Sequence, residues 1–248
     1  MKCKIIVLFF VIILFQGQAV YAQSATSLSD SQMKERFDFI QASLNEGETG
    51  ATIWWWSWLG IYSALTAGSF TIAIASDGDT EKIIYTISGV QSTLGIIGMV
   101  ISPFAPRYAP ARVRSLASGV NGNLEDSFSE AKRLFEAAAE DAAFGRSWIN
   151  HAMAFAVNSG GALIIWKKYG DRIEADGGNP RREAILNFVI GTIVSEIQIF
   201  TQPVKAVHDM NEYRRRYGTA CKDSDFTEVR YFAFPVDGGM VGGAAFSW

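Results

Sequence analysis

Two kinds of hydrophobic pattern alternate along this chain. In SDSQMKERFDFIQASL, Met33, Phe37, Ile40 and Leu44 recur at intervals of three and four among charged neighbours, the spacing of an amphipathic helix. Ser29 or Asp30 is placed to cap its start, and the glycine-bearing link NEGETG is expected to end it. From ATIWWWSWLGIYSALTAGSFTIAIAS onward the pattern changes: no charge interrupts it before the link SDGDTEK. None interrupts IIYTISGVQSTLGIIGMVIS either, which stops at Pro103. Segments 54–76 and 83–104 are long enough to cross a hydrocarbon core of roughly 30 Å.

The same order then returns. In NGNLEDSFSEAKRLFEAAAEDAAFG, Leu124, Phe128, Ala131, Phe135, Ala138 and Ala142 share a face, with Asn123 as the cap. The tryptophan-led RSWINHAMAFAVNSGGALIIW follows, then the polar link KKYGDRIEADGGNPRRE, then AILNFVIGTIVSEIQIFTQ, which stops at Pro203. The predicted fold is mainly α, built from two pseudo-repeated units at about 29–106 and 123–206. Each unit is an amphipathic helix followed by an apolar helical hairpin, and together they fill a helical domain over 23–217. A short helix after Pro203 leads into a tail, 218–248. There Tyr231, Phe232 and Phe234 precede Pro235, and DGG signals the turn of a short β-hairpin. A membrane β-barrel would need many alternating segments, and the helical body supplies none.

Whether the hairpins face lipid or each other is less plain. Trp54, Trp55, Trp56 and Trp58 cluster at one end of the first, as membrane-interface residues do. Gly60, Ala64, Gly68, Thr71 and Ala75 form a stripe of small residues, and Ser88, Ser92, Gly95 and Ser102 form another. Such stripes let helices approach closely in lipid. The second hairpin is more polar. Asn187, Gly191, Ser195, Gln198 and Gln202 fall on one helical face, away from Ile190, Ile193, Ile197 and Phe200. That is a buried amphipathic helix or a span with a polar inward face.

Charge at the amino terminus sets the compartment. Lys2 and Lys4 precede an apolar run from Ile5 to Phe15, and Val20 and Ala22 supply small residues for cleavage, the layout of a signal peptide over 1–22. Eleven helical residues reach only about 16 Å, too short a span. The chain is therefore expected to be exported, to a bacterial cell envelope. Exported with four spans, it would leave six Lys or Arg in the inner links 77–82 and 167–184 and fourteen in the outer segments. The positive-inside bias asks for the reverse, so ordinary four-span insertion is disfavoured and the hairpins are expected to shelter together or dip into a membrane. A formal charge of −3 falls to −5 without the two leader lysines and gives no reason to expect nucleic acid. Only Cys221 would survive cleavage, so no internal disulfide can form.

The chemistry is sparse. Two histidines and, after cleavage, one cysteine, without metal-ligand spacing, predict no metal, and no G-x-S-x-G elbow or phosphate loop occurs; no cofactor is expected and no enzyme. Glu196 stands out, because a carboxylate in an apolar helix demands a partner. Asn150, His151, Asn158 and Arg146 are its candidates if the second hairpin closes antiparallel. The set reads first as a buried polar network that fixes helix register, second as a proton-transfer site. The expected role is structural or accessory: a non-enzymatic envelope protein, membrane-associated through its hairpins, with lipid and an envelope protein as partners. The alternative is a soluble periplasmic bundle that binds a lipid or other apolar ligand between them.

Overall fold

The computed structural model describes residues 28–118 and 123–218, and the backbone of 228–236 and 239–247. The segment read as a signal peptide lies outside these residues, as does Cys221. The protein is mainly helical. Helix α1 spans Asp30–Ala75, α2 Asp79–Ile101, α3 Ala105–Ser118 and α4 Leu124–Gly145; α5 covers Trp148–Leu163, α6 Gly170–Ala175, α7 Pro180–Thr201 and α8 Lys205–Tyr217. One π-helical turn, Ile164–Lys168, carries α5 onward towards α6.

The first amphipathic helix does not stop at NEGETG. Ser29 opens α1 with a reciprocal capping box to Gln32, and the helix then runs unbroken for 46 residues. Each glycine inside a helix costs about 1 kcal/mol relative to alanine, but tertiary contacts outweigh that here. Leu44, Ala51, Trp55, Trp58 and Tyr62 are all buried and continue one stripe through the link. Glu48 is held by Arg114 of α3 and Glu46 by Lys205 of α8. In the second half the break is real. The carbonyl of Gly145 accepts from the Asn150 amide, and the Gln202 side chain fills the space a methyl would need at Gly145.

Four helical segments form a head. The first half of α1 packs with α3, α4 and α8 around Phe37, Ile40, Leu44, Val113, Phe135 and Tyr213. The amphipathic stripes therefore bury one another. The sequence reading missed α3, because Pro106 and Pro110 argue against a helix. Pro106 lies in the first turn, where backbone N–H groups have no helical partner, and Pro110, the sixth residue, gives up one helical hydrogen bond that the packing of its buried face offsets.

The second half of α1, with α2, α5 and α7, forms a second layer. Every exposed large hydrophobic residue among the described ones lies between 53 and 101 or between 144 and 200. The helical hairpins point the same way. Their tips meet at the end far from the head, where Arg172 pairs with Asp79 at 2.8 Å and the Thr80 N–H donates to Asp176 at 2.8 Å. Ile83, Ile165, Ile173 and Ala184 close a small core there. From Ile83 to Ile101, α2 alone measures about 28 Å at 1.5 Å per residue.

Within the first hairpin, the close approach differs from expectation. Gly60, Ala64, Gly68, Thr71 and Ala75 all face outward, with nothing near the missing side chains of Gly60 and Gly68. The contact with α2 is made by rings seated on glycines: Phe70 over Gly89 and Tyr62 over Gly95, where a methyl would meet them at 3.0 and 2.8 Å. Gly95 belongs to the second expected stripe and does face α1, but it receives a large ring and not a small residue of the first stripe.

Candidate functional site

The polar residues of the apolar layer converge between the hairpins. Asn187 donates to Ser88 and to Gln91 across α2 and α7, each at 3.1 Å. Gln91 reaches Asn158 of α5 at 3.5 Å, and Asn158 in turn donates to Ser195 at 3.3 Å and to the Ala154 carbonyl at 2.8 Å. Tyr62 donates to Gln198 at 2.7 Å, tying α1 to the same face. The chain Ser88–Asn187–Gln91–Asn158–Ser195 thus joins three helices with neutral amides and hydroxyls. Glycines make room for it: side chains at Gly161 and Gly191 would collide with Gln91 and Asn158 respectively. The polar face of α7 does turn inward, and Ile193, Ile197 and Phe200 stay exposed; Ile190, expected on the outer side with them, is exposed but also lines the space between the hairpins.

The residues of this network line a cavity of about 770 Å³. Its walls alternate polar groups such as Ser92, Asn158 and Gln198 with apolar ones such as Leu65, Leu94 and Leu186. Among the described residues, two carboxylates line it, Asp141 at the head end and Glu183 at the far end, and no Lys or Arg does. Burial raises the Asp141 carboxyl above its usual range, opposed by the Ala105 N–H that donates to it at 2.9 Å.

The residues singled out from sequence separate into three places. His151 and Glu196 meet, Nδ1 to Oε2 at 2.8 Å, but their side chains are 32% and 31% exposed. They lie on the outer side of the second hairpin, with His151 against the exposed Phe200 ring. Asn158 is the one buried member, at 3% exposure, and it belongs to the inner network. Arg146 donates to the carbonyls of Phe200 and Gln202 at 2.6 and 2.9 Å, and Asn150 to that of Gly145 at 2.9 Å. These two finish helix ends at the junction with the head; neither touches Glu196 through a hydrogen bond. The sequence reading set Asn187, Ser195 and Gln198 on the right face but missed Gln91 and Ser88, because pairing across hairpins is a tertiary choice.

The tryptophans sit where head meets apolar layer. Trp55 and Trp58 are buried, Trp58 donates to Thr201 at 3.1 Å, and Arg107 lies 4.0 Å over the Trp55 ring. Trp54 also reaches Thr201, at 3.3 Å, and Trp56 alone of the four is exposed. At the far end Trp166 carries Lys167 at 3.7 Å from its ring centre. Among the described residues no cluster of three or more metal-ligating side chains occurs. No protein-family model, curated protein or solved structure matches this chain.

Three helical runs, Asp30–Ala75, Asp79–Ser118 and Pro180–Tyr217, are long and apolar enough to cross a membrane. Only 11%, 17% and 17% of their most apolar stretches is buried within the protein.

Proposed function

We propose that this is a non-enzymatic, exported protein of the bacterial cell envelope, held in a membrane by its apolar layer, with the helical head outside it. Its role on this reading is structural or accessory, with membrane lipid as one partner and an envelope protein as another. The observation that carries the reading is the unburied apolar layer. Side chains such as Ile74, Ile101, Ile185, Ile190 and Phe200, each 60% exposed or more, would face water in a soluble monomer. At about 25 cal/mol per Å² such a surface is too costly to leave wet. Charges fall at both ends of the layer, and only the His151–Glu196 pair interrupts it.

Export rests on the amino-terminal pattern. The folded head softens the charge-bias objection, because large outer domains translocate largely regardless of charge. The halves contribute alike, each giving two helical segments to the head and two to the layer, α1 supplying one of each, which supports an old duplication. Strands Glu228–Val236 and Gly239–Ser247, paired antiparallel with Phe232 opposite Gly243, are read as a tail hairpin.

The test is fractionation. Expressed with its leader and without detergent, the protein should pellet with membranes at high speed and resist alkaline carbonate. Recovery in the soluble fraction would overturn the reading. The alternative, a bundle that binds an apolar ligand between its hairpins, gains one observation, the cavity, and loses one, the wet flanks.

A further inference from the structure

The cavity between the hairpins has walls that say what it would hold. We propose that it is a lateral binding site for an uncharged lipid alcohol: an amphiphile with a hydroxylated head and a hydrocarbon chain, of the kind exemplified by a monoacylglycerol. The inference rests on the membrane reading above, since such a ligand would enter from the bilayer.

Charge decides the head. The polar floor, from Ser88 and Gln91 to Asn158 and Ser195, sits near the middle of the apolar layer and is entirely neutral. A phosphate there would find no Lys or Arg among the lining residues, and an unpaired charge in such surroundings costs several kcal/mol or more. A cationic head fares no better at mid-depth. Asp141 and Glu183 stand at opposite ends, and the stretch of α7 from Glu183 to Gln202 between them is about 28 Å long. An uncharged head with hydroxyls fits, because a hydroxyl both donates and accepts and so matches amides and serines alike.

Shape decides the rest. The volume, about 770 Å³, lies in the range of roughly 300–1,000 Å³ that small-ligand sites occupy. Leu65, Leu94, Leu186 and Ile190 line the cavity and are also exposed, at 39%, 46%, 42% and 60%. They would guide a chain from the surrounding lipid to the floor. Filling the space with water alone would set these four side chains against it. A lipid chain buries them.

The experiment uses the whole mature chain reconstituted in phosphatidylcholine vesicles and a monoacylglycerol bearing a diazirine on its acyl chain. Photolabelling should map to α2, α5 and α7 residues that line the cavity. Unlabelled monoacylglycerol should compete, and a lysophosphatidic acid of equal chain length should not. Ser92 lines the cavity outside the hydrogen-bonded chain, so Ser92→Phe fills the space without cutting the network. It should lower cavity labelling about tenfold, equivalent to about 1.4 kcal/mol of affinity, with the helical circular-dichroism signal unchanged. Labelling spread over outward residues such as Ile193 and Phe200, equal competition by the anionic lipid, or an unaffected Ser92→Phe would each overturn the proposal. Flotation of the same vesicles keeps the two readings apart. Protein that floats but fails to label the cavity removes the ligand inference alone, and protein that does not float removes the membrane reading beneath it.

Discussion

Asp141 shows how one side chain can carry opposed demands. Its carboxyl must accept the Ala105 N–H that starts α3, yet burial penalises its charge and raises its pKa from an ordinary value of 3.8. A raised carboxyl binds its proton more tightly folded than unfolded. Its contribution to stability is therefore full below the unfolded value and declines as pH rises through the folded one. Asp141→Asn keeps an acceptor and drops the charge, so it should flatten that decline; a detergent-solubilised melting series from pH 4 to pH 7 reads it. Glu48 runs the other way. The hydrogen bonds from Arg114 hold its carboxyl below the usual range, so its stabilisation is present above the unfolded value near 4.5 and lost as pH falls further. Gly191 is a packing case, because any side chain there collides with Asn158. Gly191→Val should cost about 1–3 kcal/mol by overpacking, measured as a fall in melting temperature.

Among elements, α1 matters most, because one rigid rod belongs to both layers. Its stripe packs in the head through Phe37, Ile40 and Leu44 and in the junction through Ala51, Trp55 and Trp58. Gly50 has nothing within 4 Å of a built methyl, and Gly47 has only the Lys205 chain at 3.8 Å. Gly47→Ala with Gly50→Ala should therefore stabilise the protein by about 1–2 kcal/mol, from helix propensity alone; a rise in melting temperature checks it. Were α1 broken at the link, as the sequence alone suggests, the double change would force a helix where a turn belongs and melting would fall. In the head, Phe135 is fully buried against Phe39 and Tyr213. Phe135→Ala should cost about 3–5 kcal/mol and expose the head to proteolysis.

For the whole molecule, the division of labour is by solvent. The head hides its stripes within itself, and the layer leaves its large side chains outward. The hairpin tips and the head lie at opposite ends, so on the membrane reading they occupy opposite compartments. Single cysteines at Ser115 in the head and at Glu174 in the far link, both exposed, should react with an impermeant maleimide from opposite sides of a sealed vesicle. Reaction of both from one side would leave the layer lying on the surface.

Local pattern determined what each stretch is. Apolar periodicity marked the helices, Pro103 and Pro203 closed α2 and α7, Asn123 was legible as a cap, and Ser29 as one of two candidates, because capping is a contact of near neighbours. The inward face of α7 was legible too, since polar spacing at three and four residues is a local fact. Tertiary structure decided what each surface meets. Helical period cannot tell whether an apolar stripe seals against a hairpin or against another stripe. Nor can it say whether NEGETG bends: the choice falls to the distant segments that bury Leu44, Ala51 and Trp55 on either side of the link, with the Arg114 and Lys205 ion pairs adding little. Glu196 was visible as a lone carboxylate, but its partner among four candidates was fixed only when α5 docked on α7 and brought His151 within 2.8 Å. Contacts within a few residues can be read along the chain, whereas those between distant segments depend on how the helices stack.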